Sequence, residues 1–217
     1  MKKFYRRHLP HWQPRNASFF ITFRLKNSLP NKVIAALQEE GAREKFRLEQ
    51  LPDSEGAQQN RLEQRRYLDK WDACLDKADF GPRWLVQPEI AEIVKEAMFY
   101  RDGKVFDLHA FCIMSNHLHV VLESLRTSGH QPDGDRSECH PSLSKIMQSL
   151  KRHTARQCNL ILGREGAVWQ DESYDHVIRD DEEYARIIWY VLENPVKAGL
   201  VANWNNWPWT YCRPGIL

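Results

Sequence analysis

Ala110-Phe111-Cys112-Ile113-Met114-Ser115-Asn116-His117-Leu118-His119-Val120-Val121-Leu122 is the stretch that decides how the chain is read. Apolar residues flank a short polar centre, and Ser115-Asn116 supplies the turn between two apolar runs. Successive side chains of a β-strand alternate between its faces, so His117 and His119 lie on one face and Leu118 on the other. Two imidazoles side by side on a strand form a potential metal pincer, because neutral imidazole is a common ligand for divalent ions. The same pair also reads as two half-exposed histidines on a sheet face. The residues on either side of the stretch have to decide.

Working outward, Val105–Met114 and the histidine strand read as an antiparallel hairpin. A helix over 88–100 opens at Pro88 and carries an apolar stripe of Ile90, Ile93, Val94 and Ala97. Ser18-Phe19-Phe20-Ile21-Thr22-Phe23-Arg24-Leu25 is aromatic and β-branched, and reads as the first strand. Between it and Phe80-Gly81-Pro82 the chain is polar and helical in character, broken at Pro52-Asp53-Ser54-Glu55-Gly56, with Leu62, Leu68, Trp71 and Leu75 on one face. This is a helical hairpin inserted after the first strand, at about 32–80. Past an open loop at 126–140, Ser142 caps a helix over 143–161 whose outer face carries Lys145, Lys151, Arg152, His153 and Arg156. Tyr174–Arg179 is extended. Asp180-Asp181-Glu182-Glu183 then makes the acidic first turn of a last helix, expected to stop at Pro195. The three tryptophans of Trp204–Trp209 read as a surface clamp. The order of elements predicts one α+β domain, a four-stranded antiparallel sheet with helices packed on it.

Composition excludes several classes. The 217 residues are 42% hydrophobic and 28% charged, ordinary for a globular protein, and the formal net charge of +2 names no partner. Five cysteines without a C-x-x-C pair argue against a disulfide framework and a cysteine zinc knuckle. No apolar run approaches the roughly 18 residues that span a membrane. Met1–Arg7 lacks the apolar core of a signal peptide, so a soluble cytoplasmic protein is expected. The basic, aromatic start (Lys2, Lys3, Tyr5, Arg6, Arg7, Trp12, Arg15) suits phosphate contact and base stacking, and equally a solvated tail.

The last helix offers a partner for the histidines. Tyr190 and Asn194 are one turn apart on one face. A tyrosine can form a covalent intermediate once its phenol is deprotonated, and an asparagine oxygen can complete the shell of a hard cation. Asn116-His117-Leu118-His119, Trp169-Gln170, Tyr174-Asp175-His176-Val177-Ile178-Arg179 and Tyr190-Val191-Leu192-Glu193-Asn194-Pro195-Val196-Lys197-Ala198-Gly199-Leu200-Val201 occur in that order. Together they resemble the signature of the IS200-like single-tyrosine transposases of the HUH endonuclease superfamily, most of all the REP-associated tyrosine transposase branch. The resemblance spans nearly the whole chain and is weakest over the insert.

The resemblance implies a ferredoxin-like antiparallel sheet. It makes His117 and His119 the paired metal ligands of a divalent ion, Mg²⁺ or Mn²⁺, with Asn194 as the polar third ligand, and Tyr190 the nucleophile that attacks a DNA phosphodiester to leave a 5′-phosphotyrosine. Tyr5, Arg6, Arg7, Lys151, Arg152, Arg156 and Arg179 become candidate contacts to single-stranded or hairpin DNA bearing repetitive extragenic palindromes. Relatives act as monomers or dimers, so a homodimer is one expectation. The alternatives are a catalytically silent protein that binds such repeats and, from a different class, a metal-dependent hydrolase of small phosphoesters.

Overall fold

The computed structural model describes residues 17–48, 50, 53–77, 79–125, 127–128, 138–139 and 142–217. The basic arm with Tyr5, Arg6 and Arg7 lies outside the described residues. Strand β1 (Ser18–Arg24) is followed by helices α1 (Asn31–Leu48) and α2 (Asp53–Lys77), which are the expected hairpin, and then by α3 (Pro88–Arg101). Strands β2 (Phe106–Ile113) and β3 (His117–Ser124) form the histidine hairpin, and β4 (Thr127–Ser128) pairs with β5 (Glu138–Cys139) in a small separate ribbon. Helix α4 (Leu143–Leu162), β6 (Tyr174–Val177), α5 (Asp181–Lys197) and β7 (Thr210–Cys212) complete the order.

Among the described residues the main sheet has five antiparallel strands in the order β6-β1-β3-β2-β7. Its first four follow the ferredoxin-like β-α-β-β-α-β pattern, with β1 and β3 central. β7 is a fifth strand beyond the four expected. At three residues it is too short to show a period, and it is set by pairing of Ala110–Cys112 with Thr210–Cys212 and by the Ile113 amide donating to the Trp209 carbonyl at 2.9 Å. The tryptophan segment therefore leads into the sheet edge: Trp207 Nε1 donates to the Ile113 carbonyl at 2.9 Å.

Strand alternation sorts the core into two layers. Phe19, Ile21 and Phe23 of β1 and Leu118, Val120 and Leu122 of β3 face α3 and α4, where Ile90, Val94 and Met98 meet Ile146, Leu150 and Cys158. Phe20 and Val121 face the other way, onto Ile188, Val191 and Leu192 of α5. β2 changes phase at a bulge between Leu108 and Ala110, so Leu108 and Phe111 both reach the first layer. At roughly 25 cal/mol per Å² of buried apolar area, these two layers are what offset the entropy of ordering the chain.

Helix ends follow their caps. Ser142 accepts from the Lys145 amide, and Gly163 closes α4 in the left-handed region at φ 58°. Asp180 caps α5 by accepting from the Glu183 amide at 2.8 Å, while Glu183 reaches back to the Arg179 amide at 3.0 Å. The expected stop at Pro195 does not occur, because α5 continues to Lys197. Only Val196, Lys197 and Ala198 follow the proline before Gly199, at φ 69°, turns the chain, and the Leu200 amide donates to the Pro195 carbonyl. No described helix is long and apolar enough to cross a membrane.

Candidate metal and nucleophile centre

The register of β1 on β3 places Thr22 opposite His119 and Arg24 opposite His117. His117 and His119 are both fully buried, with ring centroids 4.9 Å apart and planes at 79°. Each is oriented through Nδ1. His119 Nδ1 lies 2.8 Å from Thr22 Oγ1, and His117 Nδ1 lies 2.8 Å from Asn116 Oδ1. Asn116 cannot be turned over without loss, since its Nδ2 donates to the Leu75 carbonyl at 2.9 Å. Its oxygen therefore faces His117, Nδ1 of that ring carries the proton, and the lone pair is on Nε2. Burial pushes both imidazoles down to about 3, with the neighbouring His119 adding to it at His117 and Lys197 adding to it at His119. They are neutral at physiological pH, the form that binds metal.

The third member of the group comes from the inserted hairpin. Asp72 of α2 is 5% exposed, and its Oδ2 is 3.4 Å from His119 Nε2. Asp72, His117 and His119 offer ligand atoms that all lie within 4.8 Å of one another. Asp76, one turn along α2, brings Oδ1 to 4.0 Å from His117 Nε2. Burial lifts both carboxyls above the usual carboxylate range, and Asp72 beside it helps bring Asp76 to about 7. Buried Asp72 Oδ1, Asp76 Oδ1, His117 Nε2 and His119 Nε2 all lack a hydrogen-bond partner. Three ligand atoms, from Asp72, His117 and His119, share one point, with Asp76 at its edge beside His117, and two neutral imidazoles with a buried carboxylate are a donor set that fits a divalent metal.

Tyr190 reaches the same cluster from α5. Its hydroxyl donates to Asp72 Oδ2, and its ring stands edge-on to His119 at 5.8 Å and to Phe20 at 5.9 Å. Lys197 Nζ lies 4.2 Å from that ring on the exposed side. Burial, then the charge of Asp72, raise the phenol far above its ordinary value, so at rest it holds its proton. Phe20 ties the cluster together, stacked on His119 at 5.7 Å and edge-on to Tyr174 at 6.2 Å.

The structure thus brings His117, His119 and Tyr190 together. Asn194 is 2% exposed on the same helix, its Nδ2 donating to the Tyr190 carbonyl at 3.2 Å, and the carboxylate nearest the histidines is Asp72. Lys151 of α4 donates to the carbonyls of Gln170 and Asp171 at 2.8 and 3.2 Å, holding that loop. Arg152 and Arg156 are exposed on α4, which packs on the sheet face opposite the histidines. Arg179 is exposed just before α5. Asp72 and Asp76 were missed by sequence reasoning. The available signal was Asp72 standing between Leu68 and Leu75 in an apolar helical stripe, where a carboxylate needs a reason.

A strand-borne histidine pair, a buried carboxylate and a helix-borne tyrosine meet on the ferredoxin-like sheet of an α+β protein, as a candidate metal site with a phenol beside it. No family model matches the chain. It is 27% identical over 110 residues to a Haemophilus influenzae protein provisionally named REP-associated tyrosine transposase, covering 48% of this chain and 58% of that protein. It is 25% identical over 105 residues to the REP-associated tyrosine transposase of Escherichia coli, covering 48% and 53%. The chain spans about half the length of these curated relatives. A solved structure described as a REP-associated tyrosine transposase bound to a REP hairpin aligns with 97% of this chain and 82% of its own, at 16% identity and a TM-score of 0.45. Over the aligned half, the chain is similar to these two REP-associated tyrosine transposases.

Proposed function

We propose that this protein is a metal-dependent endonuclease and strand transferase of the HUH single-tyrosine type, acting in the cytoplasm on single-stranded, hairpin-forming DNA of the REP kind. The observation that carries this reading is the meeting of the Tyr190 hydroxyl and His119 Nε2 on one carboxylate, Asp72. The Tyr190 oxygen attacks phosphorus, the P–O3′ bond breaks, and the released 3′-oxygen takes up a proton. The energy of the phosphodiester is kept in the 5′-phosphotyrosine, so a 3′-hydroxyl can reverse the step without a nucleotide cofactor.

A bound Mn²⁺ or Mg²⁺ would polarise the scissile phosphate and stabilise charge on its oxygens. The chain's own part is orientation. Thr22 and Asn116 aim the two imidazoles, and Asp72 holds the phenol proton in a hydrogen bond, ready to receive it. A cleft of about 390 Å³ between α2, β6 and α5 runs to Tyr190, and Arg65, Arg186 and Lys197 line it with Trp189 and Tyr174. Cationic side chains beside planar rings suit a single strand, the former for phosphates and the latter for unstacked bases. Arg152, Arg156 and Arg179, with Tyr5, Arg6 and Arg7 of the arm, are proposed as outer backbone contacts, which add affinity without sequence information. Lys151 contributes less, since two carbonyls already occupy its ammonium.

One observation favours a second reading, a silent binder of folded repeats: both histidines are fully buried beneath α2. His117→Ala separates the two. For an enzyme, cleavage of a labelled hairpin oligonucleotide with Mn²⁺ falls at least about 100-fold, while gel-shift affinity stays near wild type. A wild-type protein that shifts the hairpin but never cuts it leaves only the binder.

A further inference from the structure

Two carboxylates of the inserted hairpin meet the two histidines in matched pairs. Asp72 and Asp76 are i and i+4 on α2, so they project from one face a turn apart. Asp72 approaches His119 at 3.4 Å and Asp76 approaches His117 at 4.0 Å. Among the described residues, the buried side-chain nitrogen and oxygen atoms without a partner are Trp71 Nε1 and one atom from each of these four side chains. A buried polar atom without a partner forfeits its hydration uncompensated, and here the unpartnered atoms cluster: Asp72, His117 and His119 place ligand atoms within 4.8 Å of one another, and Asp76 Oδ1 stands 4.0 Å from His117 Nε2, so a shared partner is called for. A cation can take two imidazole lone pairs and carboxylate oxygens at once.

We infer that the ion is held by four side chains, His117 and His119 of β3 with Asp72 and Asp76 of α2, and that it clamps the inserted hairpin onto the histidine strand. The inference rests on reading the histidines as metal ligands. It adds Asp76 to the ligand set and makes the hairpin part of the centre rather than an appendage. Asn116 Nδ2 on the Leu75 carbonyl is the matching polymer contact, fixing the turn of α2 that lies between the two aspartates. Two nitrogens with two carboxylates favour Mn²⁺ or a later transition ion over Mg²⁺, which prefers an all-oxygen octahedral shell.

The test uses the full-length protein without DNA. Mn²⁺ binding is followed by calorimetry, and hydrogen exchange of α2 is measured with and without Mn²⁺. Wild type should bind one ion and gain amide protection around Asp72–Asp76. Asp76→Asn and Asp72→Asn should each weaken Mn²⁺ at least about tenfold and lose the gain in protection. Asp69→Asn, on an exposed carboxylate one turn earlier, should do neither. Metal-free melting of the variants at or near the wild-type temperature shows that the fold is intact. Wild-type Mn²⁺ affinity in Asp76→Asn, or an α2 indifferent to Mn²⁺, overturns the inference. DNA cleavage is not a readout, so a protein that clamps Mn²⁺ but never forms a phosphotyrosine loses the proposed activity and keeps this site.

Discussion

Tyr190→Phe should remove covalent capture of a hairpin oligonucleotide, with adduct on a denaturing gel falling by about 10³-fold or more, as loss of a nucleophile generally does. The substitution is mild for the fold. The ring keeps its edge contacts with Phe20 at 5.9 Å and His119 at 5.8 Å, and only the hydroxyl and its bond to Asp72 are lost. A hydrogen bond between partly buried groups contributes on the order of 1 kcal/mol, so melting should barely move. Binding in a gel shift should also persist. An adduct as strong as wild type would move the nucleophile elsewhere. Tyr174, which meets the same Phe20 ring at 6.2 Å, would be tried next, although burial raises its phenol as well.

The largest stability effect is expected at Phe20→Ala. Phe20 is 1% exposed on the central strand β1 and packs against three rings of the candidate site, lying nearly parallel to His119 at 13° and edge-on to Tyr174 and Tyr190. Truncation of a buried phenylalanine costs about 3–5 kcal/mol, from lost transfer energy plus the cavity left behind. For a chain of this size that lowers the melting temperature on the order of 10 °C. His119 would lose the wall that fixes its ring plane, so Mn²⁺ should bind more weakly even at temperatures where the variant is folded. A loss under about 1 kcal/mol by denaturant titration would mean that the ring cluster does not organise the centre.

The legible parts of the sequence were those where local chemistry and tertiary demand agree. The one-residue spacing of His117 and His119, Ser142 before α4 and the acid-rich start of α5 each point to the same answer locally and globally. The ferredoxin-like order followed from them. β7 was not legible because Thr210–Cys212 is three residues long and exists through pairing with β2. The run past Pro195 was hidden because a proline near a helix end forfeits only one hydrogen bond, and Gly199 supplies the actual stop.

Asp72 and Asp76 were hidden for a different reason. α2 is polar over much of its length, so a carboxylate there looks solvated until docking shows which turn is covered. The segment with the weakest family resemblance therefore supplies the carboxylate nearest the histidines.

The most direct measurement is anomalous diffraction from crystals grown with Mn²⁺. The account predicts one strong peak within roughly 2–2.3 Å of His117 Nε2, His119 Nε2 and an oxygen of Asp72, with the Tyr190 hydroxyl beside it. A peak held elsewhere, or histidines that leave their Nε2 atoms turned away from the ion, would contradict it.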